Sequence, residues 1–220
     1  MDFDIYNDIA LRTGGDIYIG VVGPVRTGKS TFIKRFMENL VLDRIEDDAK
    51  KTRTVDELPQ SADGKTIMTT EPKFVPNEAV RLNLGNTYAN IRLIDCVGYL
   101  VEGALGHVEG DKPRMVRTPW SESEMPFQKA AEMGTDKVIR EHSTIGIVVT
   151  TDGTITDIGR AKYLEAEERV VKELKNIGKP FVVLLNTKNP DSPDTGKLAE
   201  SLFERYGVPV IPMDIMKAGK

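Results

Sequence analysis

Two rhythms of apolar and polar residues alternate along this 220-residue chain. Unbroken apolar runs rich in β-branched residues recur at Asp16–Val22, Ser143–Thr151 and Phe181–Leu185. Such runs mark strands covered on both faces. Between them lie stretches of helical spacing. Phe32, Ile33, Phe36, Met37 and Leu40 share one face of Thr31–Leu40. Residues 127–142 offer Phe127, Ala130, Ala131, Met133 and Val138 for packing. Residues 160–177 offer Ala161, Leu164, Val170, Val171 and Leu174 before Gly178 and Pro180 close the helix. A helix over 195–206 and a last strand at Val208–Ile211 complete the series. Residues 72–84 and 88–95 read as strands joined by Leu84-Gly85-Asn86-Thr87, a connection short enough for an antiparallel hairpin. The expected fold class is therefore α/β: a mostly parallel sheet, one antiparallel edge hairpin, and helices on both faces.

Three stretches stand outside this pattern. Residues 1–15 form a short lead-in whose Ile5, Ile9 and Leu11 could pack on the sheet edge. Residues 41–70 are charged and polar and are expected to be a long surface segment. Residues 96–126, rich in Gly, Pro and charge, are expected to be a loop with a functional or mobile role. There is no internal repeat.

The first strand runs into Gly23-Pro24-Val25-Arg26-Thr27-Gly28-Lys29-Ser30, which reads G-x-x-x-x-G-K-S. Strand, glycine loop and helix form the context that makes this a phosphate-binding loop. Gly23 and Gly28 let successive backbone N–H groups turn inward. The helix N-terminus adds partial positive charge. Lys29 neutralises the β- and γ-phosphates, and the Ser30 hydroxyl can ligate Mg²⁺. Gly23, Arg26, Thr27, Gly28, Lys29, Ser30 and Thr31 are the candidate nucleotide contacts of this stretch.

A second motif follows on the hairpin. Ile91–Ile94 is a mostly apolar strand ending in Asp95, spaced D-x-x-G to Gly98. A carboxylate there can hold Mg²⁺ through a coordinated water, and Gly98 can bring its N–H to a γ-phosphate. Between the two motifs, Thr69 and Thr70 are both candidates to sense the γ-phosphate through Mg²⁺, with Thr66 a poorer one. Ser30, Thr70 and Asp95 make up the expected metal set, and Lys29, Thr69, Thr70 and Asp95 the expected catalytic set.

The base side is defined by a missing residue. Guanine readers place N/T-K-x-D after the fourth parallel strand, and the aspartate pairs with the guanine edge. Here the run is Asn186-Thr187-Lys188-Asn189-Pro190, with proline in the aspartate's place. A site without that polar partner should not discriminate for guanine, so ATP is the expected substrate. Asn186 and Lys188 remain base-side candidates, and Lys188 reads equally well as a surface lysine. Tyr99 occupies the place where many relatives position the attacking water, so hydrolysis should be slow or assisted. Asp152 could touch base, ribose or water, although an Asp-Gly turn is the plainer reading.

Composition narrows the setting. The net charge of −4 argues against a general nucleic-acid surface, and Lys50, Lys51 and Arg53 sit among acids as a solvated mixed-charge stretch. One cysteine, Cys96, fits a reducing compartment and reads as a small core residue. With no signal peptide and no membrane-length apolar run, the expectation is a cytosolic chain with at most peripheral membrane contact.

Longer runs carry a family likeness. Arg12–Tyr18, Glu57-Leu58-Pro59-Gln60-Ser61, Gly64–Phe74, Asp95–Tyr99 and Glu141–Gly146 resemble the stage IV sporulation protein A family, coat-assembly ATPases of endospore formers. The resemblance covers essentially all 220 residues. It implies a nucleotidase domain related to translation-factor GTPases that has shifted to ATP. It carries over Lys29 as the phosphate lysine, Thr69 and Thr70 as sensor threonines, and Asp95 as the Mg²⁺ carboxylate. It further implies self-polymerisation as the spore coat's basement layer, on the forespore's outer surface in the mother cell. Other coat morphogenetic proteins would be partners, and the membrane would be reached through a small amphipathic peptide and domains C-terminal to residues 1–220. Three alternatives stay open beside the ATPase: a GTPase of the same class, a nucleotide-binding scaffold with little turnover and, least favoured, a small-molecule kinase.

Overall fold

The computed structural model describes residues 16–59, 71–84, 87–109 and 112–219. Strand β1 (Asp16–Val22) leads through the glycine loop into helix α1 (Lys29–Phe36). Helix α2 (Asp48–Glu57) precedes the hairpin of β2 (Lys73–Leu84) and β3 (Thr87–Asp95). Two small hairpins follow: β4 (Val108–Glu109) with β5 (Lys112–Pro113), and β6 (Met115–Thr118) with β7 (Ser121–Pro126). The chain continues through α3 (Phe127–Lys137), β8 (Ile145–Thr151), α4 (Leu164–Asn176), β9 (Phe181–Asn186), α5 (Pro193–Tyr206) and β10 (Val210–Met213).

The central sheet has the order β10-β9-β8-β1-β3-β2. Only β2 is antiparallel, as the short connection required. Strand parity divides the core into two layers. Ile17, Ile19 and Val21 of β1 pack with Ile33 and Met37 on one face. Val22 and Ile94 pack on the other with Tyr163, Val170 and Leu174 around α4, and with Leu202 and Tyr206 of α5. Helices therefore cover both faces, and the expected fold class holds. The parallel strands end together at Val22, Asp95, Thr151, Asn186 and Met213. Ligands of open α/β sheets bind along that edge, where strand order reverses.

Three expectations need correction. The segment over 41–70 contains α2, which few apolar residues announced because only Thr54 of the helix is buried. Its start was legible in Asp47, whose carboxylate accepts the Lys50 N–H at 2.9 Å as an N-cap. The stretch over 96–126 is not one loop but carries the two small hairpins. Leu40 leaves the apolar face. The turns after Phe36 widen over Met37–Val41, so Leu40 is exposed while Val41 and Leu42 are buried.

A polar network closes the layer between α4 and the sheet. The Glu167 side chain is fully buried. It accepts Arg160 at 2.5 and 2.8 Å, the Tyr206 hydroxyl at 2.6 Å, and the Thr150 hydroxyl. Four segments thus meet on one carboxylate. Removing it leaves the Arg160 charge without its main partner. Glu167→Ala is expected to lower the unfolding free energy by about 3–5 kcal/mol in urea titrations, and a loss below about 1 kcal/mol would show that water replaces the carboxylate without penalty.

Candidate functional site

The loop between β1 and α1 is built from backbone positions that exclude side chains. Gly23 has φ +136°, and a Cβ there would lie 2.3 Å from the Val149 carbonyl oxygen. Gly28 has φ +98° and ends the loop as the N-cap of α1. Val25 N–H donates to the Tyr99 carbonyl at 2.9 Å, and the buried Thr27 hydroxyl donates to the Pro24 carbonyl at 3.0 Å. The loop is therefore clamped from outside by the segment that follows β3. The first turn of α1, with Lys29, Ser30 and Thr31, has no acidic residue to compete with an anion.

Lys29 points back under the loop. Its ammonium donates to the Pro24 carbonyl at 2.6 Å, and only 5% of the residue is exposed. Burial pulls its pKa below the ordinary lysine value, opposed by Cys96 and Asp95 beside it. Ser30 Oγ donates to Asp95 Oδ2 at 2.7 Å, which joins the first turn of α1 to the end of β3. The other carboxylate oxygen, Oδ1, is buried and has no hydrogen-bond partner. Burial raises the Asp95 pKa, with the Ser30 hydrogen bond and Lys29 pulling the other way. A hydroxyl and a carboxylate with an orphaned oxygen are hard donors of the kind Mg²⁺ takes, so these residues fit that ion. Among the described residues no group of three or more His, Cys, Asp or Glu forms a separate metal cluster.

Gly98 completes the group. Its φ is +91°, and a Cβ would stand 2.1 Å from the Gly23 carbonyl oxygen and 2.7 Å from Lys29 Nζ. Lys29, Ser30, Asp95 and Gly98 are thus brought together. Tyr99, the next residue, turns away. It is buried, its hydroxyl donates to Glu173, and the Arg169 guanidinium stacks 4.0 Å from its ring. Thr69 and Thr70 lie outside the described residues.

On the base side, Asn186 faces the loop rather than the cleft. Its Nδ2 donates to the Thr27 carbonyl at 2.9 Å and its Oδ1 accepts Ile215 N–H at 3.3 Å. Lys188 is exposed and lines a cavity of about 770 Å³ with Asn189, Pro190 and Ser192. Asp214 and Lys217, from the turn after β10, line the same cavity. Asp152 laces the strand ends together. It accepts Thr154 N–H and Oγ1 at 2.9 and 2.7 Å and Thr187 Oγ1 at 2.6 Å, the turn reading of this residue. Two positions escaped the sequence reading: Asp157, which pairs with Arg26 at 3.0 Å, and Asp214, whose place after a strand at the sheet's ligand edge was the available signal.

Fold, loop and carboxylate together define a P-loop nucleotide-binding domain. Residues 1–220 match the family described as Stage IV sporulation protein A, ATPase domain. The chain is 60% identical over 218 residues to Stage IV sporulation protein A of Clostridioides difficile (strain 630), covering 99% of this chain and 44% of that protein. It is 61% identical over 213 residues to the protein of that name from Bacillus anthracis, covering 96% and 43%. The counterpart from Bacillus subtilis (strain 168) is 59% identical over 213 residues, again covering 96% and 43%. The chain belongs to the Stage IV sporulation protein A ATPase-domain family, and it spans less than half the length of these relatives. Looser likenesses link it to a crystal structure of an SsGBP mutation variant, with 15% identity, TM-score 0.47 and coverage of 94% of this chain and 52% of that one. The FeoB G-domain from Methanococcus jannaschii gives 13% identity and TM-score 0.42, covering 93% and 90%. Neither likeness bears on function at those scores. The family membership makes this a nucleotide-binding, sporulation-related domain of the nucleotide-hydrolase class.

Gly98→Ala is expected to cost about 2–5 kcal/mol of stability, from strain at positive φ plus overpacking, and to push Lys29 from its place. A variant as stable as the parent by thermal melting, with unchanged nucleotide affinity, would refute the close-packing account. Cys96 tests the same wall by chemistry. Burial pushes its thiol up to about 11, so it should resist iodoacetamide at pH 8 until the chain unfolds. Rapid alkylation of the folded protein, read by mass spectrometry, would contradict that burial.

Proposed function

We propose that this domain hydrolyses ATP with Mg²⁺, and that hydrolysis drives a conformational change used in assembling the basement layer of the spore coat. The observation that carries the reading is the convergence of Lys29, Ser30, Asp95 and Gly98 at one loop. Lys29 neutralises phosphate charge, and the loop's backbone N–H groups hold the β-phosphate. Ser30 and Asp95, with Thr70, would hold the metal. When bound, Mg²⁺ supplies charge neutralisation of the β- and γ-phosphates. Gly98 presents its N–H to the γ-phosphate, and Thr69 and Thr70 sense its presence.

ATP is favoured because Pro190 stands at the sequence position where a guanine reader carries its carboxylate, although Asp191 and Asp214 line the same cavity. At the level of the longer protein, the proposal extends to polymerisation with its own copies and contact with other coat morphogenetic proteins. The place would be the forespore's outer surface in the mother cell, with the membrane reached through a small amphipathic peptide. A second reading, a nucleotide-bound scaffold with little turnover, is favoured by one observation: Tyr99 is buried and cannot position water.

Phosphate release by the chain and by Lys29→Ala and Asp95→Asn separates the two. The ATPase reading expects turnover that falls on the order of 10²-fold or more in each variant. Rates at background for all three proteins would favour the scaffold. In equilibrium competition, GTP should displace labelled ATP only at about tenfold or greater excess, a difference of about 1.4 kcal/mol. Displacement at equal concentration would make the domain a GTPase.

A further inference from the structure

If the domain is an ATPase with Tyr99 buried, the residue after Gly98 contributes nothing to phosphoryl transfer, and the catalytic help has to come from elsewhere in the site. Arg26 is placed to supply it. It lies inside the phosphate loop, and its φ of +61° makes it the one non-glycine residue with positive φ among the described residues. That backbone region disfavours L side chains, and a loop needing only the turn would be served by glycine. A strained conformation held at a ligand site points to a use for the side chain.

The loop's other side chains leave the outer surface to Arg26. Val25 is 1% exposed and Thr27 is fully buried, both turned inward, and Lys29 lies beneath the loop. The Arg26 side chain is 21% exposed and reaches Asp157 Oδ1 at 3.0 Å. Asp157 belongs to the segment that follows β8 from the same sheet edge, and its side chain is 62% exposed. With its carboxylate end open to water, such a pair can exchange for a stronger anion. A triphosphate in the loop presents more negative charge, at the same place, than one carboxylate does.

We propose that Arg26 is a built-in arginine finger: its guanidinium leaves Asp157 for the phosphate chain and stabilises the charge that develops as the terminal phosphoryl group transfers to water. Asp157 is its holding partner, which keeps the cation at the loop without fixing it there. The bond broken is the one between the γ-phosphorus and the β–γ bridging oxygen, whose electron pair leaves with ADP; water supplies the new oxygen, and its proton passes to the phosphate released or to solvent. Arg26 exchanges no proton and contributes charge alone, an effect worth 10³–10⁵ in kcat where an arginine acts in this way.

The inference rests on the ATPase reading, and the test keeps the two apart. Steady-state hydrolysis, ATP affinity and thermal melting are measured for the 220-residue chain and for Arg26→Gly, Arg26→Lys, Asp157→Asn and Lys29→Ala. Arg26→Gly removes the strained side chain, so its melting temperature should match or exceed the parent's. Its kcat should fall on the order of 10²-fold or more, with ATP affinity changed less than about fivefold. Arg26→Lys keeps the charge but loses the planar fork, and should recover part of the rate. Asp157→Asn frees the guanidinium and should keep or raise kcat. Parental kcat in Arg26→Gly beside an inactive Lys29→Ala would overturn the finger and leave the ATPase standing. A loss of affinity equal to the loss of rate would make Arg26 a plain phosphate binder, which also overturns it. So would a loss in Asp157→Asn as large as that in Arg26→Gly, since the pair would then be a structural tie. No turnover by the parent chain would overturn both readings.

Discussion

The site depends on a contact between two stretches of backbone. Gly98 lies so near the Gly23 carbonyl that a single methyl group would stand 2.1 Å from its oxygen. The loop after β1 and the segment after β3 touch there without side chains between them. Parallel pairing of the two strands, with Val21 opposite Asp95, delivers both to the same level of the sheet edge. Everything chemical follows from that closeness. Lys29 can reach under the loop, Ser30 can meet Asp95, and the Val25 N–H can find the Tyr99 carbonyl. A wider gap would admit water and separate the charges that make the site.

Those charges are held in balance by burial. Desolvation moves Lys29 down and Asp95 up, each toward its neutral form, and each is drawn back toward the charged form by the other. Neither residue is satisfied by its protein neighbours alone. Lys29 has one strong acceptor, a backbone carbonyl, and Asp95 has one oxygen with no partner. A ligand that brings an anion for the first and a cation for the second completes both at once. A metal-bound polyphosphate has that composition, whereas an anion or a cation alone completes only half of it.

Most of the architecture was legible because it follows from period and spacing. Buried strands declared themselves as apolar runs, and the G-x-x-x-x-G-K-S loop was tied to its flanks by the strand before it and the helix after it. The short connection between Leu84 and Thr87 in the sequence required the antiparallel edge. The failures came where stability is not carried by apolar periodicity. Helix α2 buries almost nothing but a threonine and is announced only by its cap. The hairpins after residue 107 pair strands too short and too exposed to carry a readable stripe. Leu40 was misplaced because widened turns change the angle per residue, and spacing arithmetic assumes that angle is constant. In the site, the structure brings Lys29, Ser30, Asp95 and Gly98, which type and order single out, to one loop. For Asn186, order alone did not show that its amide ties Thr27 to Ile215 across the sheet edge. Contacts between segments 159 residues apart leave no mark in local sequence.

Tyr99 links the two halves of this account. Its backbone carbonyl belongs to the site, through Val25, while its side chain belongs to the far layer, through Glu173 and Arg169 of α4. Arg169 in turn pairs with Glu132 of α3 at 3.1 Å. The segment carrying Gly98 therefore cannot follow a phosphate by small degrees. Its neighbour fills a packed slot between helices, and packed slots are occupied or left rather than gradually emptied. Burying Tyr99 turns its side chain away from the site and fastens Gly98 to the helical layer. On the proposed ATPase reading, that arrangement suits a domain whose nucleotide chemistry is felt at a distance more than it suits one built for speed.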